Sequence, residues 1–97
     1  MLKWVEIDLK TLAGNVRAIK KTLNPGVSFM AVVKADGYGH GAAAVGKTAL
    51  GNGADCLGVL TAEEGAALRS IFHIAPIHLL APSLPEEAPL IIKNSLI

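Results

Sequence analysis

Apolar positions along the 97-residue chain fall into short blocks separated by polar or glycine-rich joints. Val5 to Leu9 reads as a short strand. From there Leu9, Leu12, Val16, Ile19 and Leu23 recur at spacings of three and four, the period of one helical face, with Lys10, Arg17, Lys20 and Lys21 opposite. Asn24-Pro25-Gly26 stops that helix. Phe29 to Val33 predicts a strand, and an alanine-rich helix follows from about Gly41 to Leu50, closed by Gly51-Asn52-Gly53. Cys56 to Leu60 predicts the next strand. Thr61-Ala62-Glu63-Glu64 then matches a capping box that opens a helix to about Ser70. Ile77 to Leu80 predicts a further strand, and Ser83-Leu84-Pro85-Glu86 a second capping box whose helix ends near Asn94. Ser95-Leu96-Ile97 reads as the start of one more strand.

Strands alternating with helices over short connections define an α/β chain with a parallel sheet and right-handed crossovers. The strands are near-continuous apolar runs, as expected where helices cover a parallel sheet. Such a pattern opens either a closed barrel or a doubly wound sheet. A complete (β/α)8 barrel takes about 250 residues, so this chain supplies less than half of one.

Composition narrows the partners. With 52% hydrophobic residues, 18% charged and a net charge of +1, neither disorder nor a polyelectrolyte partner is indicated. The basic helix face has no interleaved aromatic residues and reads as a solvated surface, not a nucleic-acid patch. Cys56 is the single cysteine, which excludes an internal disulfide and a cysteine-based zinc site. No metal site is expected. Neither a signal peptide nor a run of about 20 apolar residues that would span a membrane is visible, so the expected compartment is cytoplasmic.

Candidate chemistry centres on Lys34, which ends the run Phe29-Met30-Ala31-Val32-Val33 and precedes Ala35-Asp36-Gly37-Tyr38-Gly39-His40-Gly41. A lysine at the exit of a buried strand is partly desolvated, which disfavours its ammonium form and leaves an amine able to form a Schiff base with an aldehyde. That chemistry points to pyridoxal phosphate. The plainer reading is an exposed lysine at a strand end. Two other motifs compete. Gly41-Ala42-Ala43-Ala44-Val45-Gly46-Lys47-Thr48 satisfies the phosphate-loop pattern, but Ala42 to Val45 prefer helix and Gly51-Asn52-Gly53 breaks the chain soon after. Gly37 to Ala42 satisfies the dinucleotide fingerprint, but no acid ends the following strand where a ribose contact would need it.

The eleven residues Ala31-Val32-Val33-Lys34-Ala35-Asp36-Gly37-Tyr38-Gly39-His40-Gly41 resemble the pyridoxal phosphate attachment segment of the alanine racemase family. Trp4-Val5-Glu6-Ile7-Asp8-Leu9 with Asn15 resembles that family's amino terminus, and Gly53 to Val59, Glu63-Glu64 and Pro85-Glu86-Glu87 resemble its following elements. Gly37, where the family more often has alanine, is a small departure.

The resemblance implies the first part of a (β/α)8 TIM barrel over residues 1–97, with the remaining barrel and a carboxy-terminal β domain absent. It also implies interconversion of L- and D-alanine, supplying D-alanine for peptidoglycan, in a homodimer without nucleic-acid or membrane partners. Lys34 would hold the cofactor and act as acid or base on the D-alanine face of Cα; Tyr38 would direct its hydroxyl to the cofactor phosphate. His40 is given a structural place at a helix start, and His73 and His78 no role. In the family the opposite-face group is a tyrosine from the partner's carboxy-terminal domain, so the isolated chain is expected to be inactive. Two alternatives remain: a non-catalytic pyridoxal phosphate carrier of the same fold type, and a non-functional truncated remnant.

Overall fold

The computed structural model describes residues 3–33, 40–82 and 84–97, and within them all side chains but those of residues 3–8 and 40. Helix α1 spans Lys3–Thr22, strand β1 Met30–Val32, helix α2 His40–Asn52, strand β2 Cys56–Val59, helix α3 Ala62–Arg69 and strand β3 Ile77–Leu79. A 3-10 turn at Pro85–Glu87 runs into helix α4, Ala88–Lys93.

The strands form a three-stranded parallel sheet in the order β1-β2-β3. Their register pairs Val32 with Gly58 and Gly58 with His78. Both crossovers and the helix after β3 return on one side: Ala42 of α2, Ala62 and Leu68 of α3 and Leu96 after α4 share one core with Val33, Leu57, Val59 and Ile77. A doubly wound sheet would place helices on both faces. With consecutive strands side by side and helices on one face, the chain winds in a single direction, as a barrel begins.

Local chemistry explains the joints. Thr61 caps α3 as predicted: its hydroxyl accepts the N–H of Glu64 at 3.1 Å, and the Glu64 carboxylate accepts the Thr61 N–H at 2.9 Å. The second box is shifted from its predicted place. Leu84 is the cap residue and Glu87, not Glu86, accepts its N–H at 2.7 Å, because Pro85 stands at the first helical position and moves the first turn along by one; Ser83 lies outside the described residues. Gly53 closes the α2 connection at φ +134°, where a Cβ would stand 2.9 Å from Lys20 Cγ.

One predicted element differs in kind. Val5 to Leu9, read as a strand, lies within α1. Among the described residues no strand stands beside it, and a lone strand would leave its N–H and C=O groups unpaired, whereas a helix pairs them internally. Further along α1, Leu12 and Val16 do face inward, packing with Ala49, Ala54 and Phe29. Ile19, predicted on that face, is 48% exposed.

Candidate functional site at the end of strand β1

Parallel α/β sheets carry their chemistry at the carboxyl ends of the strands, where loops leave the sheet. At that end β1 is firmly held: the N–H of Val33 donates to the Gly58 carbonyl at 2.9 Å, and across the sheet the Leu80 N–H donates to Val59 at 2.8 Å. Val33 is 2% exposed and faces the helices. Lys34 and Tyr38 both belong to residues 34–39, outside the described residues. The chain is described again from His40, whose backbone begins α2 and whose side chain lies outside the description.

The sheet has two unlike faces. Leu57, Val59 and Ile77 are buried beneath the helices. Alternation turns Met30, Val32, Gly58, Leu60, His78 and Leu80 to the other face. No helix covers that face among the described residues, and Val32 is 56% exposed, Leu60 46% and Leu80 46%. Among the described residues it carries no carboxylate, and its titratable groups are His78 and, at the start of β2, the buried Cys56.

The competing phosphate-loop motif resolves into packing, while Gly37, Tyr38 and Gly39 of the dinucleotide fingerprint lie outside the described residues. Gly41 to Thr48 lies wholly within α2, with Lys47 exposed. The small residues Ala42, Gly46 and Ala49 are the buried ones, and a Cβ on Gly46 would stand 3.1 Å from the Phe72 ring. In a phosphate loop the residues ahead of the Gly-Lys-Thr form an open loop before the helix, whereas here they are already helical from His40. His73 is exposed. Cys56 is buried; burial first, and the neighbouring Asp55 charge second, push its thiol above the ordinary value. Among the described residues no group of three or more His, Cys, Asp or Glu could hold a metal ion, and no helix is long and apolar enough to cross a membrane.

Two polar residues that the sequence did not single out hold this scaffold. Asp55 Oδ2 accepts the Phe29 N–H at 2.7 Å while the Asp55 N–H donates to the Phe29 carbonyl at 2.7 Å, fastening the start of β2 to that of β1. Arg69 donates to the carbonyls of Asn94 at 2.8 Å, Phe72 at 3.0 Å, Ala75 at 2.7 Å and Ser95 at 3.3 Å, tying the end of α3 to the end of α4. The only sequence signal for Arg69 was a basic residue in the last turn of a helix.

A one-sided parallel α/β unit that winds in a single direction is the start of a (β/α)8-type barrel. Residues 7–97 match the family described as alanine racemase, N-terminal domain, and the chain belongs to that family. It is 54% identical over 85 residues to the alanine racemase of a Nostoc species, covering 87% of this chain and 22% of that protein. It is 43% identical over 91 residues to that of Desulfovibrio desulfuricans, covering 94% and 24%. The crystal structure of alanine racemase from E. faecalis superposes with a TM-score of 0.82 at 34% identity, over 91% of this chain and 24% of that one. That of Bacillus anthracis alanine racemase with bound L-Ala-P gives 0.81 at 36%, over 91% and 23%. The chain thus spans about a quarter of the length of these relatives.

Proposed function

We propose that the chain is the cofactor-anchoring portion of a pyridoxal phosphate-dependent alanine racemase, with Lys34 as the anchor. The observation that carries this reading is the run Val33-Lys34-Ala35-Asp36-Gly37-Tyr38-Gly39-His40-Gly41, placed by sequence directly after β1 in a chain of this family. The sheet face left open by the helices carries Val32, Leu60 and Leu80. The described part of that face fits the group: it is apolar enough for an aromatic ring, and it has no carboxylate to repel a phosphate.

When bound, the cofactor supplies an electron sink for the charge left on Cα as its proton departs. The chain's own part is smaller. Lys34 would provide the primary amine that holds the cofactor's aldehyde carbon and, when free, would carry the Cα proton on the D-alanine face. Tyr38 would bind the phosphate through its hydroxyl. Proton transfer on the opposite face needs a second group. Tyr38 is the only tyrosine in the chain and has another task, so the purified 97-residue chain does not racemise alanine by itself. In a homodimer of the full length, that group comes from elsewhere.

Mixing the chain with pyridoxal phosphate and following the visible absorbance tests the reading. A band that shifts with wild type and not with Lys34→Ala supports it. Identical spectra for the two proteins would sink it.

A further inference from the structure

We propose that the cleft between the α3–β3 loop and the end of α4 is an anion site, which takes a phosphate dianion between Lys93 and His73. The inference is independent of the cofactor reading above. The cleft has a volume of about 350 Å³, and its walls include Arg69, His73, Pro76, Lys93, Ser95 and Ile97. Pro76 immediately precedes β3, so the cleft lies at the amino end of the sheet, the opposite end from Val33 and Leu80. Its size falls at the lower end of small-ligand sites. No carboxylate lines it.

The charges of these helices are sorted by end. Glu63 and Glu64 open α3 and Glu86 and Glu87 precede α4, whereas Arg69 and Lys93 close the two helices beside the cleft. Arg69 is fully engaged with backbone: its Nε, Nη1 and Nη2 donate to four carbonyls, which fixes the guanidinium in the wall and leaves its positive charge there. Lys93 and His73 differ. Both are exposed, and neither makes a hydrogen bond or ion pair among the described residues. A cleft lined by one sign of charge concentrates its field and draws in the opposite ion.

The donor set selects the class of anion. The Lys93 ammonium is a point charge with three donors, the His73 ring offers an N–H in either protonation state, and the Ser95 hydroxyl, also without a partner among the described residues, adds one more. These donors come from two chain segments. A tetrahedral dianion presents oxygens in several directions and matches them, whereas a carboxylate carries one charge and two oxygens in a plane. Because Lys93 and His73 are exposed and screened, the affinity is expected to be roughly millimolar.

The test is a titration of the 97-residue chain with inorganic phosphate at neutral pH, followed by amide NMR, with sodium chloride holding the ionic strength constant. Saturable shifts are expected at the amides of His73, Ile74, Lys93 and Ser95. Lys93→Gln should weaken binding roughly fivefold, the upper end for one exposed ion pair, and His73→Ala should weaken it as well. Lys47→Gln, which removes an exposed lysine of α2, should leave the titration unchanged. The spectra without phosphate report the fold of each variant, and exposed side chains without partners can be replaced without disturbing it. Shifts that do not saturate, or that appear equally around Lys47, overturn the proposal. So does wild-type affinity in both Lys93→Gln and His73→Ala, or acetate binding the same amides as tightly as phosphate.

Discussion

The N–H of Ile97 donates to the carbonyl of Ile77 at 3.0 Å, and the carbonyl of Ile97 accepts the Leu79 N–H at 2.8 Å. These bonds give Ile97 a parallel ladder position beside β3, so the winding direction set by β1, β2 and β3 continues to the last residue. Leu96, one residue earlier, turns to the helix side and presses on Gly65 of α3.

That contact leaves no room for a side chain at 65, where a Cβ would stand 2.7 Å from Leu96 Cδ1 and 2.9 Å from Cδ2. Leu96→Ala is expected to destabilise by about 2–4 kcal/mol through the cavity it leaves. Gly65→Ala is expected to cost about 1–3 kcal/mol by overpacking. Urea midpoints measure both, and the double variant should cost less than the sum because the two changes offset each other in volume.

Arg69 makes charge-assisted bonds to four backbone carbonyls, two in the loop after α3 and two at the end of α4. Hydrogen bonds to charged groups contribute about 1.5–3 kcal/mol each, with strong overlap when one side chain makes several. Arg69→Ala should therefore lower stability by about 3 kcal/mol, and Arg69→Lys should recover little, because an ammonium cannot reproduce the planar fork. Amide exchange near residues 94–97 should accelerate in both variants. Unchanged protection there would show that α4 is held by its apolar face alone.

Asp55 separates a bond that matters from one that does not. Its Oδ2 accepts the Phe29 N–H at 2.7 Å, and the same oxygen lies 3.6 Å from Lys20 Nζ, with the two side chains 47% and 43% exposed. Asp55→Ala should cost about 1–2 kcal/mol through the lost charge-assisted bond. Lys20→Ala should cost under about 1 kcal/mol, since solvent screens an exposed pair. A larger loss at Lys20 than at Asp55 would reverse this assignment.

The Cys56 thiol is held above its ordinary value by burial and, secondarily, by the Asp55 charge. The folded state therefore keeps the thiol proton at a pH where the unfolded chain has lost it. The sign follows: this contribution to stability is full below the unfolded pKa and is lost as pH rises through the folded value. Cys56→Ala should flatten the alkaline fall in stability, and a disulfide reagent should modify native wild type more slowly than the unfolded chain.

Most joints were legible because their signals are local. Thr61 and Glu64 sit three residues apart and satisfy each other, so sequence alone placed the start of α3. The box near Pro85 slipped by one residue because two acids stand side by side, and only Glu87 reaches the Leu84 amide. Val5 to Leu9 reads as a strand on its apolar residues, but among the described residues it has no neighbouring strand to pair with and lies in α1. Arg69 and Asp55 were missed for a different reason. Their partners lie up to 26 residues away and are backbone groups, which leave no pattern in side-chain identity. Gly58 was visible as a glycine inside a strand, but the Met30 and Leu80 side chains that fold over it come from β1 and from just beyond β3. For Lys34 and Tyr38 the reading rests on sequence and family membership.

The most direct test of the whole account is reductive trapping: incubate the 97-residue chain with pyridoxal phosphate, reduce with borohydride, digest, and locate the adduct by mass. The account predicts a single pyridoxyl group on Lys34, abolished by Lys34→Ala. A label spread over surface lysines such as Lys10, Lys21 and Lys47, unchanged in Lys34→Ala, would contradict it.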